Sequence, residues 1–109
     1  MEYPIITRRE DGSVKTKEYE LYTEHFRKDV TLKKRVDRTG TVFYYRKDET
    51  LKKRVYKSGD VDYFRKDGSI KKIVWVSGDV FYYRKDDTLK KIVWASGDVD
   101  YYRKDETII

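Results

Sequence analysis

His25 is the only histidine in the chain and the first candidate for acid–base or metal chemistry. No Ser-His-Asp set and no second histidine at ligand spacing accompanies it, so it reads as an ordinary strand residue. Asp48, Asp67, Asp86 and Asp105 recur in one slot of the sequence and raise carboxylate pairs or Ca²⁺ as possibilities. In an antiparallel sheet they would stand about 9.6 Å apart, twice the inter-strand spacing, too far to share a proton or an ion. Turn formation accounts for them better. The glycines occur singly, with no strand-to-helix phosphate loop around them, and the absence of cysteine removes disulfides and thiolate metal sites. The sequence therefore predicts a non-enzymatic protein with no catalytic residue, no cofactor and no metal.

The aromatic residues carry a sharper signal. Trp75, Trp94 and Tyr56 fall beside Ile73, Phe81, Ile92 and Tyr83 on one side of the expected sheet, an apolar patch of the kind that marks a contact surface. These seven residues are the expected partner-binding set. The occupant is expected to be a peptide or protein, or a second copy of the chain seated on the same face or paired along a strand edge. A net charge of +6, from 26 basic and 20 acidic residues, leans toward an acidic partner. Lysine and arginine interleaved with tyrosine also raise nucleic acid, since aromatic rings stack bases while cations follow phosphates. The interspersed acids and the lack of an RNP-type motif rank that reading third.

What must position these residues is a 19-residue repeat that begins at Arg27. Residues 27–45, 46–64, 65–83 and 84–102 align without a gap, and 103–109 start a fifth copy. Residues 1–26 form a degenerate N-terminal capping repeat that keeps Arg9-Glu10-Asp11-Gly12-Ser13-Val14-Lys15 but loses the later Ser-Gly-Asp turn. With 42% charged and 38% hydrophobic residues, a two-sided core is thin. The 16% aromatics and the regular Val, Leu and Ile still argue for ordered β structure. Each copy reads as two strands, giving an all-β antiparallel meander of about ten strands in a single layer. A β-solenoid or a face-to-face dimer is the alternative. The solenoid would stack identical charges about 4.8 Å apart, whereas the meander inserts a strand between them.

An odd period requires one odd loop per copy if equivalent side chains are to stay on one face. Lys57-Ser58-Gly59 and its counterparts are assigned a three-residue loop with a bulge, and the slot occupied by Asp67-Gly68 a two-residue turn. Val55, Val61, Val74, Val80, Val93 and Val99 then form one ladder, with Lys53, Tyr63, Lys72, Tyr82, Lys91 and Tyr101 beside it. Leu51, Arg65, Ile70, Arg84, Leu89 and Arg103 are expected to continue that side. The opposite side carries Arg54, Asp62, Ile73, Phe81, Ile92 and Asp100, with Arg54 paired to Asp62 and Ile73 to Phe81.

Short strands joined at Asp67-Gly68, Ser77-Gly78, Asp86-Asp87 and Ser96-Gly97, alternately nine and ten residues apart, resemble the T-complex-10-type C-terminal domain, the G-box of CPAP-like centriole scaffold proteins. Glu2-Tyr3-Pro4 and Glu10-Asp11-Gly12-Ser13-Val14-Lys15-Thr16 look like fragments of the same family. The resemblance implies a free-standing single-layer sheet whose exposed face holds an extended proline-rich segment of another protein. Met1-Glu2-Tyr3-Pro4 lacks the basic and apolar regions of a signal peptide, and the longest aliphatic or aromatic runs are four residues, such as Ile73 to Val76. A cytoplasmic protein without membrane association is expected.

Overall fold

A computed structural model describes residues 2–109; Met1, the first residue of the expected capping repeat, lies outside them. Among the described residues eleven strands form one open antiparallel sheet in strict sequence order. They are β1 (Ile5–Arg8), β2 (Val14–Glu18), β3 (Tyr22–Phe26), β4 (Leu32–Asp37), β5 (Val42–Tyr45), β6 (Leu51–Val55), β7 (Val61–Phe64), β8 (Ile70–Val74), β9 (Val80–Tyr83), β10 (Leu89–Val93) and β11 (Val99–Tyr101). Each strand pairs only with its sequence neighbours, so the sheet is a single-layer meander, 56 Å in its long dimension. Among the described residues no helix is long and apolar enough to cross a membrane.

The ladders follow the parity argument. Val55 pairs with Val61, Val61 with Val74, Val74 with Val80, Val80 with Val93 and Val93 with Val99. Lys53, Tyr63, Lys72, Tyr82, Lys91 and Tyr101 alternate beside them. Lysine ammonium groups rest over the neighbouring rings, Lys72 at 4.9 Å from Tyr63 and Lys91 at 4.8 Å from Tyr82. Aliphatic stems cover rings while the charged ends keep this side wet, which is how a sheet without a second layer hides apolar area. His25 belongs to the same ladder. It pairs with Lys34 in the place that Tyr44 occupies opposite Lys53. Partial burial, then Lys34, Lys33 and Lys15, hold its pKa below the usual imidazole value of 6.5.

The Asp turns differ from the two-residue expectation. The Arg65 amide donates to Ser69 O at 2.8 Å and the Gly68 amide to Arg65 O at 3.0 Å, which closes a three-residue loop, Lys66-Asp67-Gly68. The same pair of bonds closes the Ser-Gly-Asp turn around Lys57-Ser58-Gly59. Two odd loops would flip every copy. The sheet absorbs the difference with a bulge, because Tyr63 pairs with Lys72 while Phe64 pairs with Ile70, leaving Lys71 as the extra residue. Lys15, Lys33, Lys52 and Lys90 take that position in the other copies, and all five lysines are exposed. As a correction to the expected row, Leu51, Ile70 and Leu89 stand opposite Tyr45, Phe64 and Tyr83 and so belong to the aromatic side, while Arg65, Arg84 and Arg103 leave the ladder for the turns.

In every Asp turn the aspartate accepts from the backbone amide and the hydroxyl two residues on, at 2.8 and 2.6 Å for Asp67 with Ser69. The next loop residue has positive φ, which suits Gly68 at 89° but falls on Val30 at 67°. A β-branched residue is strained in the left-handed region by about 1–2 kcal/mol. Val30 is 67% exposed, so nothing packed is lost by removing it. Val30→Gly is therefore expected to raise stability by about 1 kcal/mol in urea denaturation, and an unchanged midpoint would count against strain there.

The turn carboxylates also set an acid limit. Asp11, Asp29, Asp48, Asp67, Asp86 and Asp105 are all held below the ordinary 3.8, chiefly by the Ser or Thr hydroxyl each accepts from. A carboxylate depressed in the folded state stabilises fully above its unfolded pKa and loses that contribution as pH falls through the folded value. The thermal midpoint is thus expected to fall below pH 3.8. The combined variant Thr50→Ala, Ser69→Ala, Thr88→Ala should show a shallower fall by circular dichroism.

Candidate partner-binding face

The apolar face is built by the variable positions of the repeat. Ile73 pairs with Phe81 and Phe81 with Ile92 across β8, β9 and β10. One position short of each Ser-Gly-Asp turn, Trp75 and Trp94 close the row from its end, with Phe81 between them. Trp75 lies 5.7 Å from Phe81 and Trp94 6.2 Å from it, both edge to face. Such pairs contribute about 0.5–1.5 kcal/mol each beyond area. Ile92 beneath them is only 4% exposed, a floor with no second layer over it, while Trp75 is 37% exposed. Tyr83 pairs with Leu89 in the next row, and burial, then Glu106 and Asp62, raise its phenol above 10.0.

Tyr56 occupies the Trp slot of an earlier copy and is engaged differently. Its hydroxyl donates to Asp62 Oδ2 at 2.7 Å, and Arg54 donates to the same oxygen through Nε at 3.2 Å and Nη2 at 2.7 Å. Asp62 is 6% exposed, so this carboxylate is buried and satisfied on the same face. Asp62 also pairs across the ladder with the apolar Ile73, and its carboxylate is taken up by Arg54 and Tyr56. In the last copy Trp94 Nε1 donates to Asp100 Oδ2 at 2.9 Å, the indole taking the role of the phenol. All seven expected residues therefore lie on one face. Trp75, Phe81 and Trp94 form its surface cluster, Ile73 and Ile92 its inner row, and Tyr56 and Tyr83 its flanks.

Three shallow grooves open on this face along the Ser-Gly-Asp turns. Tyr56, Ser58, Asp60, Asp62, Ile73 and Trp75 line one of about 370 Å³. Asp60, Trp75, Val76, Ser77, Asp79 and Phe81 line a second of the same size. The third, about 640 Å³, is bounded by Asp79, Trp94, Asp98 and Asp100. In a chain with 26 basic residues, none of the lining residues is basic. Asp60 and Asp79 are fixed in place because each Oδ1 accepts a backbone amide of the next repeat, Val76 and Ala95 respectively, at 2.8 Å. The ladder lysines lie on the opposite side, so their charge does not line these grooves.

Sequence reasoning missed the arginine that opens each Asp turn. Arg65 Nη1 donates to Ile70 O at 2.6 Å within its own turn, and Nη2 donates to Tyr83 O at 2.6 Å at the far end of the same repeat. Arg9, Arg27, Arg46 and Arg84 repeat the pattern, each clamping a bulge and reaching the last strand of its own unit. The available signal was the recurrence of Arg at a turn flank, where solvation alone would accept Lys. No protein-family model matches the chain and no curated protein matches it, so its chemistry is read from this face alone.

Proposed function

We propose that this protein is a non-enzymatic interaction module whose aromatic sheet face holds an extended segment of another protein. The observation that supports this reading is the edge-to-face cluster of Trp75, Phe81 and Trp94, laid over buried Ile92 and left without a covering layer. Solvent contact over such a patch is costly, and rigid aromatic anchors in shallow grooves are what peptide recognition uses. A proline-rich segment, implied by the G-box resemblance, suits flat aromatic grooves. The competing structural reading, association through strand edges, draws on β1, all four of whose residues are exposed.

Light scattering over a range of protein concentrations separates the two readings. A chain that stays monomeric throughout requires an external partner. Association that persists in Trp75→Ala, Trp94→Ala would place the contact at the edges and sink the aromatic-face reading.

A further inference from the structure

The charge and pitch of the grooves restrict what that segment can be. The inference rests on the aromatic face being the binding face. Asp60, Asp79 and Asp98 recur once per repeat at the groove rims, and with Asp100 they make no ion pair among the described residues. Of the carboxylates lining the grooves, Asp62 is the one already neutralised, by Arg54. Every groove also offers an aromatic wall, Trp75 in two of them and Trp94 in the third. A rim carboxylate beside an indole, with Arg54 at Asp62 the one cation ion-paired to a groove carboxylate, matches an ammonium or guanidinium on a mostly apolar side chain, which gains an ion pair and a cation–π contact together.

The spacing then selects a backbone. Equivalent grooves are two strands apart, about 9.6 Å. A β-strand laid across the sheet presents same-side residues every second position, about 6.7 Å apart, and its third residue points away. A polyproline II segment has three residues per turn and a rise of about 3.1 Å, so its same-side residues repeat every 9.3 Å or so. Over the three grooves that mismatch accumulates to only about 0.6 Å.

We infer that the aromatic face selects an extended, polyproline-II-like segment with a basic side chain at every third residue, one cation for each Trp–Asp groove.

The test titrates the full chain with three nonapeptides while following Trp fluorescence and heat. One carries three Lys-Pro-Ala triplets, one has the same composition with its lysines contiguous, and one has Ala in place of Lys. The spaced peptide is expected to bind about tenfold tighter than the clustered one, and Asp79→Asn, Asp98→Asn should remove about that factor for the spaced peptide alone. Equal affinity of the spaced and clustered peptides, or an unchanged constant in the Asp variant, overturns the spacing and charge assignment. If the neutral peptide binds as tightly and loses affinity in Trp75→Ala, Trp94→Ala, the inference fails while the aromatic-face reading survives. If no peptide binds, both fall.

Discussion

Replacing Arg65 by alanine is expected to lower the unfolding free energy by about 3 kcal/mol, one of the two largest effects of a single side chain in this fold. The guanidinium makes charge-assisted bonds of 2.6 Å to Ile70 O and Tyr83 O and a longer one, 3.3 Å, to Ser69 Oγ. Bonds to charged groups contribute about 1.5–3 kcal/mol each, and their loss leaves bulge carbonyls without a partner. Arg65→Lys should recover less than half, because an ammonium holds its donors on one nitrogen and lacks the planar fork that sets two nitrogens against carbonyls on separate strands. Arg103→Ala is the internal control. Arg103 is exposed and bonds only to Thr107 Oγ1 and Ile108 O, so its change should stay within about 0.5 kcal/mol. Urea midpoints of the three variants decide the matter. Equal small losses at positions 65 and 103 would mean that the clamp is ornamental.

The clamp matters because it ties the bulge near the start of a repeat to that repeat's last strand, in a layer with almost no core. Strands touch only their sequence neighbours, and Ile92 is the one buried hydrophobic residue among those described. In an array of this kind stability is a sum of local units and nearest-neighbour terms. The neighbour terms here include the pairing of β7 with β8 and of β9 with β10 and the Phe81–Trp94 contact. Polar, directional bonds add to them: the Asp60 and Asp79 bonds to the next repeat's amides and the Glu49 bond back to Leu32 at 3.3 Å, while the Arg65 bond to Tyr83 O works within one repeat. Repetition of one sequence lets the aspartate bond recur from one copy to the next. A chain rich in charge can thereby order a single layer whose two sides differ in kind.

Much of this was legible in advance because parity is unforgiving in a sheet. Once the Ser-Gly-Asp loop is given three residues, Val55 meets Val61 and Lys53 meets Tyr63. The composition of the aromatic face followed from the same count. The bulge did not, because Leu-Lys-Lys-Arg-Val reads as unbroken alternation and nothing marks Lys52 as surplus. Only the second three-residue loop reveals it, and that loop depends on residues such as Glu49 and Asp87 taking φ of 69° and 68°, which their types do not advertise. The arginine clamp was hidden for a related reason. Its acceptors are backbone carbonyls at the bulge, so no partner side chain varies with it.

Asp62→Ala is expected to cost about 3 kcal/mol, and adding a second change should restore what it removes. Asp62 is buried, and its Oδ2 holds both Arg54 and the Tyr56 hydroxyl, so deleting it strands a partly buried guanidinium and a phenol together. Arg54→Ile alone should cost a similar amount, since it leaves the carboxylate with the phenol as its one remaining partner. The next repeat carries Ile73 opposite Phe81 at the equivalent positions. The pair Arg54→Ile, Asp62→Phe therefore copies a solution that the chain already uses, and it should match or exceed the parent in stability by about 1 kcal/mol, because a packed apolar pair avoids the desolvation of two ions. Urea denaturation of the single and paired variants closes the cycle. If the pair is as unstable as the sum of its parts, the ion pair is supported by contacts beyond Arg54, Asp62 and Tyr56. If it is restored, the buried charge is not required for the fold, and the paired variant carries the apolar row two strands further toward β1, making the polar interruption at Asp62 the boundary that sets how long a segment the aromatic face can hold.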